Sequence, residues 1–135
     1  RGSNNGYNIM YLNLIDKVYS QEQYRKIKSH LVKRIWGFAG VREFPSGFWF
    51  GVDTDAGPIF FGIGGTATAF TIAGAMMEND LGLRKDFLRA INLVGGTITS
   101  KDGRKYAILP LVGDAIILAM KTAQPWHPVW KQNQK

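Results

Sequence analysis

Cysteine is absent from this sequence, and histidine is represented by only two residues. Without cysteine the chain can form neither disulfides nor thiolate metal sites. The sequence therefore does not indicate whether the protein is found in an oxidising or a reducing compartment. His30 and His127 are far apart in the chain, and neither has an adjacent carboxylate, which is not the spacing of a metal site. Walker loops, nucleophile elbows and zinc-protease helices are missing as well. We therefore expect no metal and no cofactor.

Acidic side chains are scarce beside basic ones, and the net charge is +7. A positive potential attracts polyanions in general without specifying one. The basic residues are concentrated in two segments, Arg25, Lys26, Lys28, Lys33 and Arg34 in the first and Lys101, Arg104 and Lys105 in the second. No aromatic-basic module accompanies them, so nucleic acid is not an expected partner. A solvated helix face and a hairpin tip are the simpler interpretation.

The length of 135 residues suits one domain with its own core. We expect residues 1–135 to form a single helical domain. The chain starts at Arg1 and shows no apolar leader with a cleavage site. The alternative is that the domain is a terminal fragment of a larger protein.

Apolar residues recur at helical spacing along most of the chain, which predicts a mostly α fold with about five helices in helical hairpins. Ser20, with Gln23 three residues later, has the pattern of a capping box and predicts the start of the second helix. Asp102-Gly103 between short apolar segments predicts one β-hairpin. The predicted helices cover residues 8–19, 20–36, 66–78, 83–94 and 113–123, and the hairpin covers residues 97–108.

Residues 57–77 carry no charge and approach the length of about 20 residues that crosses a bilayer. Gly57, Pro58 and the glycines at 62, 64 and 65 interrupt this stretch, and the mean hydropathy of the chain is only −0.12. We therefore predict a buried helix after a bend, and keep a membrane span as the less favoured alternative.

Asp53 and Asp55 form the most promising site. In an extended segment both carboxylates would project to one face, with their Cα atoms about 7 Å apart. Such a pair is compatible with acid-base catalysis, with hydroxyl binding or with a divalent cation. The alternative is that two aspartates before Gly57-Pro58 only cap a turn.

Four further residues are candidates for ligand binding. Trp49 and Phe50 lie in an aromatic segment that could form the wall of a pocket. Glu43 could be a pocket acid, although a surface pair with Arg42 is the simpler interpretation. Asp114 could face the aspartate pair, although capping the fifth helix is the better prediction for it.

Glycines 62, 64 and 65 before a helix have some likeness to a phosphate cradle, in which helix N-terminal amides face an anion. The spacing is not that of a dinucleotide-binding motif, and no Lys-Ser or Lys-Thr pair follows. Close helix packing explains these glycines more simply.

Taken together, several segments resemble proteins of the α/α-toroid type, in which helical hairpins surround a central cavity. The resemblance rests on the Asp-containing loop at 53–58, the glycines at 62–65, the Ala-rich helix at 67–77, the Asn79-Asp80 turn and the helix at 83–94. Families of this shape include glycan-processing enzymes and linalool dehydratase-like proteins. The resemblance implies that pocket residues lie on the loops leading into the inner helices, and hence that Asp53 and Asp55 are among them. A complete ring has about twelve helices, so this chain would be a terminal part of a larger ring or a smaller open helical bundle.

We accordingly expect a pocket, lined by carboxylates and aromatic rings, for a carbohydrate-type ligand, in a domain that could belong to a glycan-processing enzyme. Aromatic faces stack on sugar C–H surfaces while carboxylates accept hydroxyl hydrogen bonds. The partners expected are a glycan or small molecule and the remainder of a parent chain. The alternative is a non-enzymatic interaction domain whose basic helix binds an acidic partner. Neither enzymatic activity nor localisation is decided by the sequence.

Overall fold

A computed structural model describes residues 1–45, 51–53, 57–108 and 111–125 of the chain. The mostly helical prediction is confirmed, because five helices account for the greater part of these residues. The predicted β-hairpin at 97–108 is also present, and two further small sheets accompany it. In chain order the elements are α1 (Gly2–Ile15), α2 (Lys17–His30), β1 (Val32–Ile35), β2 (Phe38–Val41), β3 (Gly51–Asp53), β4 (Gly57–Phe60), β5 (Ile63–Gly64), α3 (Gly65–Met77), α4 (Leu81–Val94), β6 (Thr97–Ser100), β7 (Gly103–Tyr106) and α5 (Val112–Thr122).

The first helix starts at Gly2, six residues before the predicted start at residue 8, and the boundary between the first two helices also differs from the prediction. The chain breaks at Asp16, whose side chain accepts a hydrogen bond from the Tyr19 amide at 3.0 Å and caps α2. Ser20 is therefore not a cap. It lies inside α2, fully buried, and its hydroxyl donates to the Ile9 carbonyl of α1 at 3.2 Å.

The end of α2 is also earlier than predicted. The helix stops at His30, and Val32 and Ile35, which fit its apolar stripe, belong to strand β1. This strand pairs antiparallel with β2, with Val32 opposite Val41 and Ile35 opposite Phe38. In a strand, residues three apart face opposite sides, so this spacing fits a helix better, and the pairing with β2 overrides it.

Helix α3 lies at the centre of the core, as its small apolar residues predict. It packs against α1, α4 and α5, and most of its side chains are buried, including Ala67, Ile72 and Ala73. The uncharged stretch at 57–77 forms β4, β5 and α3. None of the helices in the described ranges is both long and apolar enough to cross a bilayer.

The polar turn after α3 is confirmed, and Asp80 is its key residue. Asp80 caps α4 by accepting a hydrogen bond from the Leu83 amide at 3.2 Å. It also accepts from Lys28 Nζ at 2.6 Å and from the Tyr24 hydroxyl at 3.3 Å, both on α2. One carboxylate thereby connects α2 to the start of α4.

We expect Asp80→Ala to lower the free energy of unfolding by about 1–2 kcal/mol, because loss of an N-cap costs about that much. Asp80→Asn should cost less, since asparagine also caps helices but does not pair with Lys28. Urea denaturation at pH 7 measures both effects. Equal losses in the two variants would contradict the capping role.

The Asp80 contribution should also depend on pH. Burial opposes ionisation, but hydrogen bonds from Lys28, Leu83 and Tyr24 outweigh it, so the pKa of Asp80 lies below its usual value. A lowered folded-state pKa gives stability that is present above the unfolded pKa of about 3.9 and lost as the pH falls through the folded pKa. The stability difference between the wild type and Asp80→Asn should therefore shrink below about pH 4.

Candidate functional site

The β3–β4 hairpin carries the predicted aspartate site. The two strands pair antiparallel, with Gly51 opposite Ile59 and Asp53 opposite Gly57. Asp53 is thus the last residue of β3, and residues 54–56 connect it to β4. Asp55, Trp49 and Phe50 lie outside the described residues. How their side chains and that of Asp53 are arranged therefore stays a prediction.

Glu43 is completely buried, which contradicts the expected surface pair with Arg42. Its carboxylate accepts hydrogen bonds from the Ser3 hydroxyl at 2.7 Å and from the Ser3 amide at 3.2 Å. Arg1 Nε lies 3.9 Å from the same carboxylate. Ser3 belongs to the first turn of α1, where unpaired amides and the helix dipole favour an anion. Glu43 therefore caps α1 from a distant part of the chain.

Asp114 lies in the first turn of α5, which begins after Leu111 without a side-chain cap, so the preferred capping prediction for Asp114 is wrong. Its carboxylate accepts a hydrogen bond from the Tyr106 amide of β7 at 2.9 Å. The Tyr106 hydroxyl in turn bonds Asn92 Oδ1 at 2.8 Å. Asp114 therefore ties β7 to α5. Glu43 and Asp114 serve different elements, and no hydrogen bond in the described part of the chain joins them.

An apolar groove that the sequence did not reveal lies between the first two sheets and α4. It has a volume of about 350 Å³. One wall comes from the β1–β2 and β4–β5 hairpins and consists of Ile35, Trp36, Phe38, Phe60, Phe61 and Ile63. We call this cleft the aromatic groove.

The opposite wall of the aromatic groove is helix α4, through Ala90, Leu93 and Val94. Thr68 of α3 reaches the floor, but its hydroxyl already donates to the Gly64 carbonyl at 2.8 Å and accepts from the Val41 amide at 2.9 Å. Among the groove residues that the structure describes, the Trp36 indole N–H at the exposed rim is the remaining side-chain donor, so a ligand deeper in the groove would be held by apolar contact.

Both hairpins of the groove turn on an aromatic residue followed by glycine. Trp36-Gly37 and Phe61-Gly62 each connect two strands with a two-residue loop, and all four residues have positive φ, between 47° and 82°. Such turns favour Asn-Gly, because bulky side chains are strained at positive φ. The two rings lie edge to face, with centroids 6.0 Å apart, and Trp36 is 86% exposed.

Basic side chains lie beside the aromatic groove. Lys33 Nζ donates to the carbonyl of Phe61 at 3.0 Å. Lys85, Arg89 and Leu93 follow one another at intervals of four along α4, so they are neighbours on its surface. Asp86 on the same helix is paired with Arg34. In the described residues, Arg89, one turn before Leu93, forms no ion pair with an acidic side chain, so it adds positive charge to this side of the groove.

A second cleft lies between α1 and α2 and has a different character. Its volume is about 390 Å³, and its polar lining includes Asn5, Asn8, Gln23, Lys26 and His30. Tyr19 contributes an aromatic ring to it. Its side chains resemble those of a hydroxyl-binding site more closely than those of the aromatic groove do.

The sequence pattern predicts other roles for these parts of the chain. It predicts the end of a helix at Gly37 and the approach to a buried helix at Phe60-Phe61. The available signal was the repeated aromatic-glycine pair between short β-branched or aromatic segments, which is a hairpin pattern when the glycine is the second turn residue. An aromatic residue at the first turn position is unfavourable locally, so the pattern is easily passed over.

Comparisons with protein-family models, with curated proteins and with solved structures find no match to this chain. Its function must therefore be argued from its own residues.

Proposed function

We propose that the domain binds a carbohydrate-type ligand at the end of the β3–β4 hairpin, with Asp53 and Asp55 as hydroxyl-binding or catalytic carboxylates. The observation that carries this proposal is the pairing of Asp53 with Gly57. Because residues 54–56 close the hairpin, Asp53 and Asp55 belong to one short connection. Trp49 and Phe50 directly precede β3. They are so close to Asp53 and Asp55 in the sequence that one ligand could contact all four residues.

The likeness to α/α toroids is part of the same proposal. Helices α3 and α4 form a hairpin joined by a short polar turn, which is the unit that such a ring repeats. The β3–β4–β5 sheet leads directly into α3, so in such a ring the aspartate hairpin would be a loop before an inner helix. In a larger ring the domain would supply one part of a glycan-processing site.

The test is the double variant Asp53→Asn and Asp55→Asn, screened against a glycan array and by isothermal titration calorimetry. We expect the affinity to fall by at least about tenfold, because the amide cannot replace a charged acceptor. The matched control is Asp102→Asn, which makes the same change at the exposed tip of the β6–β7 hairpin. Circular dichroism should show the same helix content in every variant.

Two results would remove the proposal. One is glycan binding that survives the double variant unchanged. The other is equal loss of binding in Asp102→Asn, which would show a general effect of charge. If glycan binding depends instead on Asn8 or Gln23, the site would be the polar cleft between α1 and α2.

Binding of an acidic partner through the basic helix is the alternative proposal. Lys26, Lys28 and Arg34 are already paired with Glu22, Asp80 and Asp86. Arg25 is exposed, and so are Lys101, Arg104 and Lys105 around the β6–β7 hairpin. This alternative predicts binding that weakens steeply with salt and survives the aspartate changes.

A further inference from the structure

We propose that the aromatic groove is a binding site for an amphipathic ligand with a hydrocarbon chain and an anionic head, such as a long-chain carboxylate. The chain would lie between the two aromatic hairpins and α4, and the head would face the basic residues at the margin. This site is separate from the aspartate hairpin, and nothing in the proposed glycan binding requires it.

The size and lining of the groove favour a small apolar ligand. A volume of about 350 Å³ lies within the usual range for small-molecule pockets, about 300–1,000 Å³. A stable protein interface buries about 800 Å² on each partner, which is more than a cleft between two hairpin turns and one helix provides. Because Thr68 is fully committed, the buried part of the ligand needs no hydrogen-bonding group.

The charge at the margin favours an anionic head. Lys33 lies at the Phe61 turn, and Arg89 neighbours Leu93 on α4. Asp86, the acidic residue on this side of α4, is neutralised by Arg34. A second copy of this chain would bring the same positive charge to the groove, which disfavours self-association there.

The turns themselves indicate that the aromatic rings are there for contact. Trp36 and Phe61 occupy positive-φ positions that asparagine would fill with less strain. Strained backbone and an 86% exposed tryptophan both act against folding, and such features concentrate at binding sites. Two independent hairpins repeat the arrangement, and their rings meet.

The experiment uses cis-parinaric acid, a fluorescent long-chain carboxylate, below its micelle concentration. We expect saturable binding at one site. Leu93→Gln and Trp36→Asn should each weaken it about tenfold, because each removes a large apolar contact. Trp36→Asn installs the favoured Asn-Gly turn, so its melting temperature should equal or exceed that of the wild type. Loss of binding in this variant therefore cannot come from unfolding.

Matched controls separate the groove from the rest of the surface. Leu118 on α5 is exposed to the same extent as Leu93, 64%, but does not line the groove. Leu118→Gln should leave binding unchanged. Arg89→Gln should weaken the acid about threefold at low salt and leave its methyl ester unaffected, as expected for an exposed charge pair. Arg25→Gln, which makes the same change on α2, should have no effect.

Several outcomes would overturn the proposal. Equal probe affinity in the wild type and in Trp36→Asn or Leu93→Gln would exclude the groove. Equal affinity for the acid and its methyl ester would exclude the anionic head. Sedimentation with phosphatidylglycerol vesicles without binding of the dissolved probe would indicate a membrane surface instead. Dimerisation that Leu93→Gln abolishes, again without probe binding, would indicate a second copy.

The two proposals can fail separately. The double variant Asp53→Asn and Asp55→Asn should retain probe binding, and Leu93→Gln should retain glycan binding. Loss of both glycan binding and probe binding in either variant would show that the two ligands share one site.

Discussion

Glu43→Ala should lower the free energy of unfolding by about 3 kcal/mol, which is a large fraction of the stability of a domain of this size. The change leaves the Ser3 amide and hydroxyl without their acceptor in a site that water does not reach. It also removes the anion from the start of α1 and leaves a cavity. Urea denaturation followed by circular dichroism measures the loss.

Two other variants test whether the loss comes from the buried hydrogen bonds of Glu43. Glu43→Gln keeps one acceptor oxygen and should cost about half as much. Glu22→Ala removes an exposed glutamate that pairs with Lys26 on the same helix, and should cost much less than either change at Glu43. If Glu43→Ala cost no more than Glu22→Ala, the capping of α1 by Glu43 would be refuted.

Gly6→Ala is expected to have the second large effect, about 2–3 kcal/mol of destabilisation. A Cβ atom at position 6 would lie 2.4 Å from Thr71 Oγ1 and 3.0 Å from the Thr71 amide nitrogen. Helix backbone cannot yield as a flexible side chain can, so α1 and α3 would have to separate. Chemical denaturation measures the loss.

Gly82→Ala is the matched control, and it should change stability in the opposite direction. Gly82 lies in α4, and a Cβ atom there would meet nothing within 4 Å. Replacing such a glycine with alanine typically stabilises a helix by about 0.5–1 kcal/mol. Thr71→Ala in the Gly6→Ala background should recover part of the loss, because it removes the closest of the clashing atoms. A neutral Gly6→Ala would mean that α1 and α3 are not in close contact.

The parts of the fold that the sequence predicts are those determined by local signals. The apolar stretch that forms α3, the Asn79-Asp80 turn and the Asp102-Gly103 turn each depend on a few neighbouring residues. Their predicted positions agree with the structure to within two or three residues. Tertiary contacts are not needed to find them.

The parts that the sequence does not predict depend on distant partners. Val32 and Ile35 fit a helix, and become strand β1 because β2 is available to pair with them. Glu43 follows an arginine and precedes a proline-containing turn, which is typical of the surface. It is buried because Ser3, 40 residues earlier, supplies its donors.

The candidate sites divide in the same way. The aspartate pair is visible because its two carboxylates are two residues apart. The aromatic groove brings together Trp36, Phe61 and Leu93, which are far apart in the chain, so only the folded structure reveals it.

The contacts of α1 also bear on how the chain folds as it is made. Gly6 packs on Thr71, and Ser3 bonds Glu43, so the first helix has its main partners about 40–65 residues downstream. Long loops must close before such contacts stabilise the structure, which slows folding. During synthesis α1 therefore emerges from the ribosome well before α3. The face of α1 that α3 later covers, including Ile9, stays exposed until α3 has been made. Helix α1 is thus a segment that needs protection from aggregation during synthesis.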